Sequence, residues 1–164
     1  MTKTSFPRTL RFICETRLHL DSSGRYRTAT SIMATEDWEH FLKFFDKIEI
    51  YSRIEPGVIS DEGYLVDHPR ITIGLIPWYD GTKDYVLKSA KIRKAVNALV
   101  NTTEAAYGVW GPSTVAPIVA LAAERINAEL LVRVIGDAEG VGVAIAPRPL
   151  RGVLSSYGRK NMGE

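Results

Sequence analysis

The sequence predicts an α/β fold: a Rossmann-like, mostly parallel sheet with helices on both faces, in a single domain. Three observations carry that reading. Short apolar runs rich in β-branched residues alternate along the chain with segments of helical period. Residues 129–137, Glu-Leu-Leu-Val-Arg-Val-Ile-Gly-Asp, follow an Ala-rich helical segment and read as a buried parallel strand ending at Gly136 and Asp137. The composition, 45% hydrophobic and 24% charged over 164 residues, suits one globular domain with a core of its own.

The elements follow in order. Residues 10–14 (Leu-Arg-Phe-Ile-Cys) form a first strand. Residues 15–33 are polar, contain the turn cluster Asp21-Ser-Ser-Gly24, and read as a long connection, a kind of segment that often carries function. A helix starts at Thr35, with Trp38, Phe41, Leu42 and Phe45 on one face. Residues 47–53 alternate and form a second strand, 64–66 a short extra one, and 71–78 a third main strand with Pro77 at its end. Thr82 caps a helix that runs to about Val100, with Tyr85, Ile92, Val96 and Leu99 as its apolar stripe. Lys83, Lys88, Lys91, Arg93 and Lys94 crowd the rest of that helix. Residues 105–110 form a fourth strand, Gly111-Pro112-Ser113 the turn beyond it, and 115–126 a helix with Pro117 in its first turn. The strand at 130–135 closes the pattern. Residues 1–146 are thus assigned to the domain and 147–164 to a basic loop or linker tail.

Composition excludes several classes. A net charge of +2 is too small to argue for nucleic acid, and one cysteine allows no internal disulfide. No segment has the apolar core of a signal peptide or the about 20 apolar residues of a membrane span. A soluble, cytoplasmic protein is expected. His19, His40 and His68 have no metal-ligand spacing, so no metal site is expected, and no cofactor. Cys14 on its apolar run reads as a packed core thiol. Glu15, Asp21 and Asp37 form no recognisable acid–base pair. Gly140-Val-Gly142 begins like a dinucleotide fingerprint, but Ile145 stands where its third glycine belongs.

Ligands of such sheets bind beyond the carboxyl ends of the strands, and the first and fourth strands flank the crevice. Three loops should meet there, at 15–28, 111–114 and 136–142. Ser113, Thr114 and the amides following them read as an anion site at a helix N-terminus, and equally Gly111-Pro112-Ser113 reads as a plain βα turn with a cap. Trp78 and Tyr79 either stack on a ligand or fill the core, whereas Trp110 reads as core. The basic helix at 83–94 is a solvated face or a membrane-docking or partner-docking one.

Glu15-Thr-Arg17 after the first strand, Trp38-Glu-His-Phe-Leu42 with Phe45-Asp46, a second strand ending in Arg53, Ile76-Pro-Trp-Tyr79 before a basic helix, Val134-Ile-Gly-Asp137 and Pro149-Leu-Arg151 stand in an order that resembles the amino-terminal, acceptor-side half of bacterial family 4 glycosyltransferases of the two-domain GT-B architecture. The first strand runs into Glu15-Thr-Arg17 and then Asp21-Ser-Ser-Gly24-Arg-Tyr26. Trp38-Glu-His-Phe-Leu42 with Phe45-Asp46 is similar to that family's W-x-x-Y/F-L…F-D helix, and Ile76-Pro-Trp-Tyr79 to its L-P-Y-Y segment. Val134-Ile-Gly-Asp137 matches its V-V-G-D strand end, and Pro149-Leu-Arg151 its P-L-R. The resemblance spans about residues 10–151. It implies transfer of a sugar from a nucleotide-sugar donor to a glycan or lipid-linked acceptor, as in polysaccharide biosynthesis, with the donor held by a second domain. The family's E-x7-E donor pair has no counterpart here, Ala138 stands where the family usually has Pro, and Gly111-Pro112-Ser113 where some members place a histidine.

The resemblance points to Gly24, Arg25, Tyr26, Ser113, Gly136 and Asp137 as substrate-binding residues and to no catalytic one. The expected partners are a sugar or lipid-linked acceptor, a donor-binding domain or a second copy of the chain, and a peripheral contact with the inner membrane face. The chain reads as a ligand-facing half that is inactive without its donor half. The alternatives are a non-catalytic Rossmann-like interaction module and a self-contained nucleotide-binding enzyme that uses the 136–142 loop.

Overall fold

The computed structural model describes residues 7–134. The strands are β1 (Thr9–Leu20), β2 (Tyr26–Thr28), β3 (Lys47–Ile59), β4 (Tyr64–Leu65), β5 (Ile71–Leu75), β6 (Ala105–Gly111) and β7 (Leu130–Val134). The helices are α1 (Thr35–Glu39), α2 (Gly81–Leu99) and α3 (Ala116–Arg125), with 3₁₀ turns at Ser31–Met33 and Phe41–Lys43. The main strands lie in the order β5-β3-β1-β6-β7, and every neighbouring pair among them is parallel. This is a Rossmann-like order, reversing direction between β1 and β6, and the α/β class expected from the sequence is the class observed.

The faces of the sheet follow from the period-two pattern of its central strand. Leu10, Phe12 and Cys14 point to one side, where they pack with Trp38, Leu42, Phe45, Ile48, Ile50, Ala106 and Trp110. Ile13 points to the other, where Tyr107 and Val109 of β6 meet Ile92 and Val96 of α2 and Val119, Ala122 and Ala123 of α3. On the first side the Phe12 ring meets Trp38 edge-on at 5.0 Å and Trp110 at 5.4 Å. Full burial of side chains this large contributes about 1.5–3 kcal/mol each. A Cβ added at Gly108 would lie 2.3 Å from the Phe12 ring, so the glycine lets that ring lie flat on β6.

The structure departs from the sequence reading in four places. The long polar connection after the first strand is largely strand: β1 continues to Leu20, and β3 continues beside it to Ile59. The reason is visible in the segment Thr16-Arg-Leu-His-Leu20, which alternates and buries Leu18 completely. At its far end β1 turns back into β2, which pairs with β4, so an antiparallel extension projects beyond the carboxyl edge. The helix expected from Thr35 is one short turn followed by a 3₁₀ turn. The third main strand stops at Leu75, leaving 76–80 as the loop that enters α2. Asp80, not Thr82, is the N-cap of α2, and its N–H donates to the Asp84 carboxylate at 3.0 Å. The proposed boundary at 146 lies outside the described residues.

Candidate functional site

At the carboxyl edge, where β1 and β6 diverge, a crevice of about 210 Å³ is lined by Glu15, Arg17, Arg53, Tyr79, Gly81, Thr82, Tyr85 and Thr114. The strands supply Glu15 and Arg17 from β1 and Arg53 from β3. The remainder come from the loop after β5, the first residues of α2, and the turn after β6.

Glu15 is its centre. The Thr114 N–H donates to Glu15 Oε2 at 2.6 Å, and the hydroxyls of Thr114 and Tyr79 both donate to Oε1. The carboxylate therefore takes the Thr114 amide just ahead of α3, on the side of the sheet where an external anion binds in a nucleotide-binding fold. A ligand phosphate at that position would have to displace Glu15.

Arg53 ties the walls together. Its guanidinium donates to the backbone oxygen of Glu15 at 2.8 Å and of Tyr79 at 2.7 Å, and its Cζ lies 4.1 Å from the Tyr79 ring centroid. Trp78 is half-buried, with Arg17 Cζ at 5.5 Å and Arg53 Cζ at 5.8 Å from its ring. Arg17 pairs with Asp80 at the mouth. Tyr85 packs edge-on against Tyr79 at 5.2 Å and donates to the Thr114 backbone oxygen at 3.3 Å. Burial, reinforced by the hydrogen bond to Glu15, pushes the Tyr79 phenol well above its ordinary value. The result is a small basin of hydroxyl, carboxylate and guanidinium groups set between aromatic rings.

The residues singled out from the sequence are distributed unevenly. Ser113 adjoins the crevice, and its hydroxyl accepts from the Ala116 N–H at 3.1 Å as a cap on α3. Gly24, Arg25 and Tyr26 lie at the distal hairpin and do not line the crevice. Gly24 takes the left-handed φ of 82° that the turn needs. The Arg25 side chain is held by Asp21 at 3.1 Å and Ser23 at 2.9 Å, and Tyr26 packs on the core. Gly136 and Asp137 lie outside the described residues, as does the 140–145 loop. Trp110 is core, as expected, and its indole N–H has no hydrogen-bond partner among the described residues.

Sequence reasoning missed Arg17, Arg53 and Tyr85 and set Glu15 aside. The signal was positional, because Glu15 and Arg53 stand where strands one and two were expected to end. Larger hollows of about 380 and 300 Å³ lie over the opposite face, among Phe41, Phe44, Leu131 and neighbours. They are chiefly apolar, and the Asp37 carboxylate at their rim is held by Arg133, so the converging polar groups single out the smaller crevice. Among the described residues no cluster of His, Cys, Asp or Glu is arranged to hold a metal, and no helix is long and apolar enough to cross a membrane. Comparison with protein-family models, curated proteins and solved structures found no match.

Proposed function

We propose that this chain is a carbohydrate-binding domain, the acceptor-side half of a two-domain glycosyltransferase. The observation that carries the reading is Glu15, whose carboxylate holds the Thr114 amide and hydroxyl and the Tyr79 hydroxyl beside the switch point and sets a negative charge there. A crevice so built favours a neutral, hydroxyl-rich ligand over a nucleotide diphosphate. Its volume supports the same choice, since about 210 Å³ suits one sugar ring and falls short of the about 300–1,000 Å³ of larger ligand pockets. Sugar hydroxyls would exchange hydrogen bonds with Glu15, Thr114 and Arg17, while the rings of Tyr85 and Trp78 offer apolar faces to sugar C–H groups. Sugar transfer also requires donor phosphates to be stabilised in a closed, dry cleft. This domain provides one wall of such a cleft, so the donor belongs to a second domain and the chain alone should not turn over.

The experiment is NMR titration of the 164-residue chain with a panel of monosaccharides and with sugar nucleotides. The expected result is millimolar binding of one or more sugars, with shifts confined to Glu15, Tyr79, Tyr85 and Thr114, and no added affinity from a nucleotide moiety. Nucleotide binding tighter than sugar binding at these residues would overturn the reading in favour of a self-contained nucleotide enzyme. Silence toward every sugar would favour a non-catalytic interaction module.

A further inference from the structure

We propose that Arg17 and Arg53 form a carboxylate site, which makes the ligand of the crevice a uronic acid. The proposal rests on the carbohydrate reading and narrows its substrate class. β1 and β3 run parallel, and their register pairs Arg17 with Arg53. Like charges set opposite each other on neighbouring strands are destabilising. The two meet at a break in register, where β1 advances from Ile13 to Arg17 while β3 advances only from Tyr51 to Arg53. Such a bulge re-aims side chains, and bulges gather beside active sites. Both guanidiniums lie over the Trp78 ring, with Cζ at 5.5 and 5.8 Å from its centroid, and both residues line the crevice.

These cations meet little negative charge. Arg53 donates to the backbone oxygens of Glu15 and Tyr79 and forms no ion pair among the described residues. The Glu15 carboxylate is engaged by the Thr114 and Tyr79 donors instead. Arg17 has Asp80 as its one acid, and the two side chains are 49% and 67% exposed. An ion pair so exposed contributes little and exchanges readily. Asp80 thus stands in, at the mouth, for a carboxylate that a ligand would bring.

The planar fork of a guanidinium matches a carboxylate through two parallel hydrogen bonds. A ligand carboxylate would displace Asp80 from Arg17 and sit between the two arginines beside Trp78. Hydroxyls of the same ring would reach Glu15 and Thr114. The ring is uncharged where it meets Glu15, and its single charge is kept at the arginine end. A phosphate would bring a second negative charge beside Glu15, which sets sugar phosphates apart from this class.

The test is NMR titration of the full chain with matched hexoses and hexuronates: glucose and glucuronate, galactose and galacturonate, mannose and mannuronate. At least one uronate should bind about tenfold more tightly than its neutral partner, the worth of one charge-assisted contact at a part-exposed site. That preference should shrink with added salt. In Arg17→Gln the affinity ratio within the pair should fall to about one. In Asp80→Asn it should rise about two- to fivefold, because the competing carboxylate is gone. A merely structural role for Arg17 would lower both affinities together and leave the ratio unchanged. Both side chains are exposed and Asp80 makes no side-chain cap bond to α2, so both variants should fold, as circular dichroism will check. Equal binding within every pair, a ratio unchanged in Arg17→Gln, or no rise in Asp80→Asn would overturn the proposal and leave the carbohydrate reading standing. So would tighter binding of the corresponding sugar phosphate than of the uronate. Silence toward both members of every pair would overturn it together with the carbohydrate reading.

Discussion

Glu15 and Tyr79 show how one part-buried contact gives a crevice its chemistry. Glu15 accepts from Thr114 and Tyr79, so truncating it strands an N–H and two hydroxyls. Glu15→Ala should cost about 0.5–1.5 kcal/mol in chemical denaturation, because the exposed Thr114 donors turn to water while the part-buried Tyr79 hydroxyl loses its acceptor. The same variant opens the start of α3 to an outside anion. Inorganic phosphate should then raise the melting temperature of Glu15→Ala while leaving that of the parent unchanged. An equal rise in both proteins would mean that Glu15 does not fill that position in solution. Tyr79 adds an alkaline signature. Its phenol is raised above the ordinary value, so the folded state holds that proton longer than the unfolded state does. The associated stability is fully present below about pH 10 and is lost as pH rises through the elevated value. Ultraviolet titration should show a late tyrosine component that disappears in Tyr79→Phe.

One element is set by local hydrogen bonds and another by packing that local propensity does not encode. The distal hairpin between β1 and β2 is organised by Asp21, whose side chain is 1% exposed. The Ser23 hydroxyl, the amides of Arg25 and Ser23 and the Arg27 guanidinium hold its carboxyl well below the usual carboxylate range. A depressed value means that this stabilisation is present above about pH 4 and is lost as pH falls through the folded value. Hydrogen exchange in the hairpin of the parent should therefore accelerate under strong acid, whereas Asp21→Asn should exchange faster even at neutral pH and respond less to acid. In the sheet, β6 must lie close under the Phe12 ring, and Gly108 permits it. Gly108→Ala should destabilise the domain by about 1–3 kcal/mol, the usual cost of overpacking a filled core. A thermal melt identical to the parent's would show that Phe12 can move at no cost.

The two faces of the sheet are covered unevenly among the described residues. Among the described residues, the longer helices α2 and α3 lie on one face, and α1 and two 3₁₀ turns lie on the other. That second face leaves Phe44 68% exposed beside the hollows lined by Phe41 and Leu131. An apolar patch of this kind favours association. Sedimentation velocity is expected to show self-association that rises with concentration and weakens in Phe44→Ser. That substitution should change stability by less than about 0.5 kcal/mol, because the side chain is mostly in water. A clean monomer at high concentration would remove this prediction and leave the core assignment intact.

The alternation of β-branched runs with helical periods was sufficient to identify the α/β class and the parallel strands, since both depend on hydrophobic spacing along the chain. The same spacing was present in residues 16–20, where polar composition masked an alternating strand, because Leu18 finds its apolar surroundings only after β2 and β3 fold alongside. Site residues were less legible. Ser113 was recognisable as a cap because a cap is a local feature, within reach of the next turn of backbone. Gly24, Arg25 and Tyr26 were chosen by resemblance, yet the length of β1 carries them away from the crevice. Glu15 meets Thr114 across a separation of 99 positions, and Arg53 reaches Glu15 across 38. Periodicity within a segment cannot encode such meetings. They arise from the parallel sheet and the reversal of strand order between β1 and β6, which bring the carboxyl ends of separate strands together at one edge of the sheet.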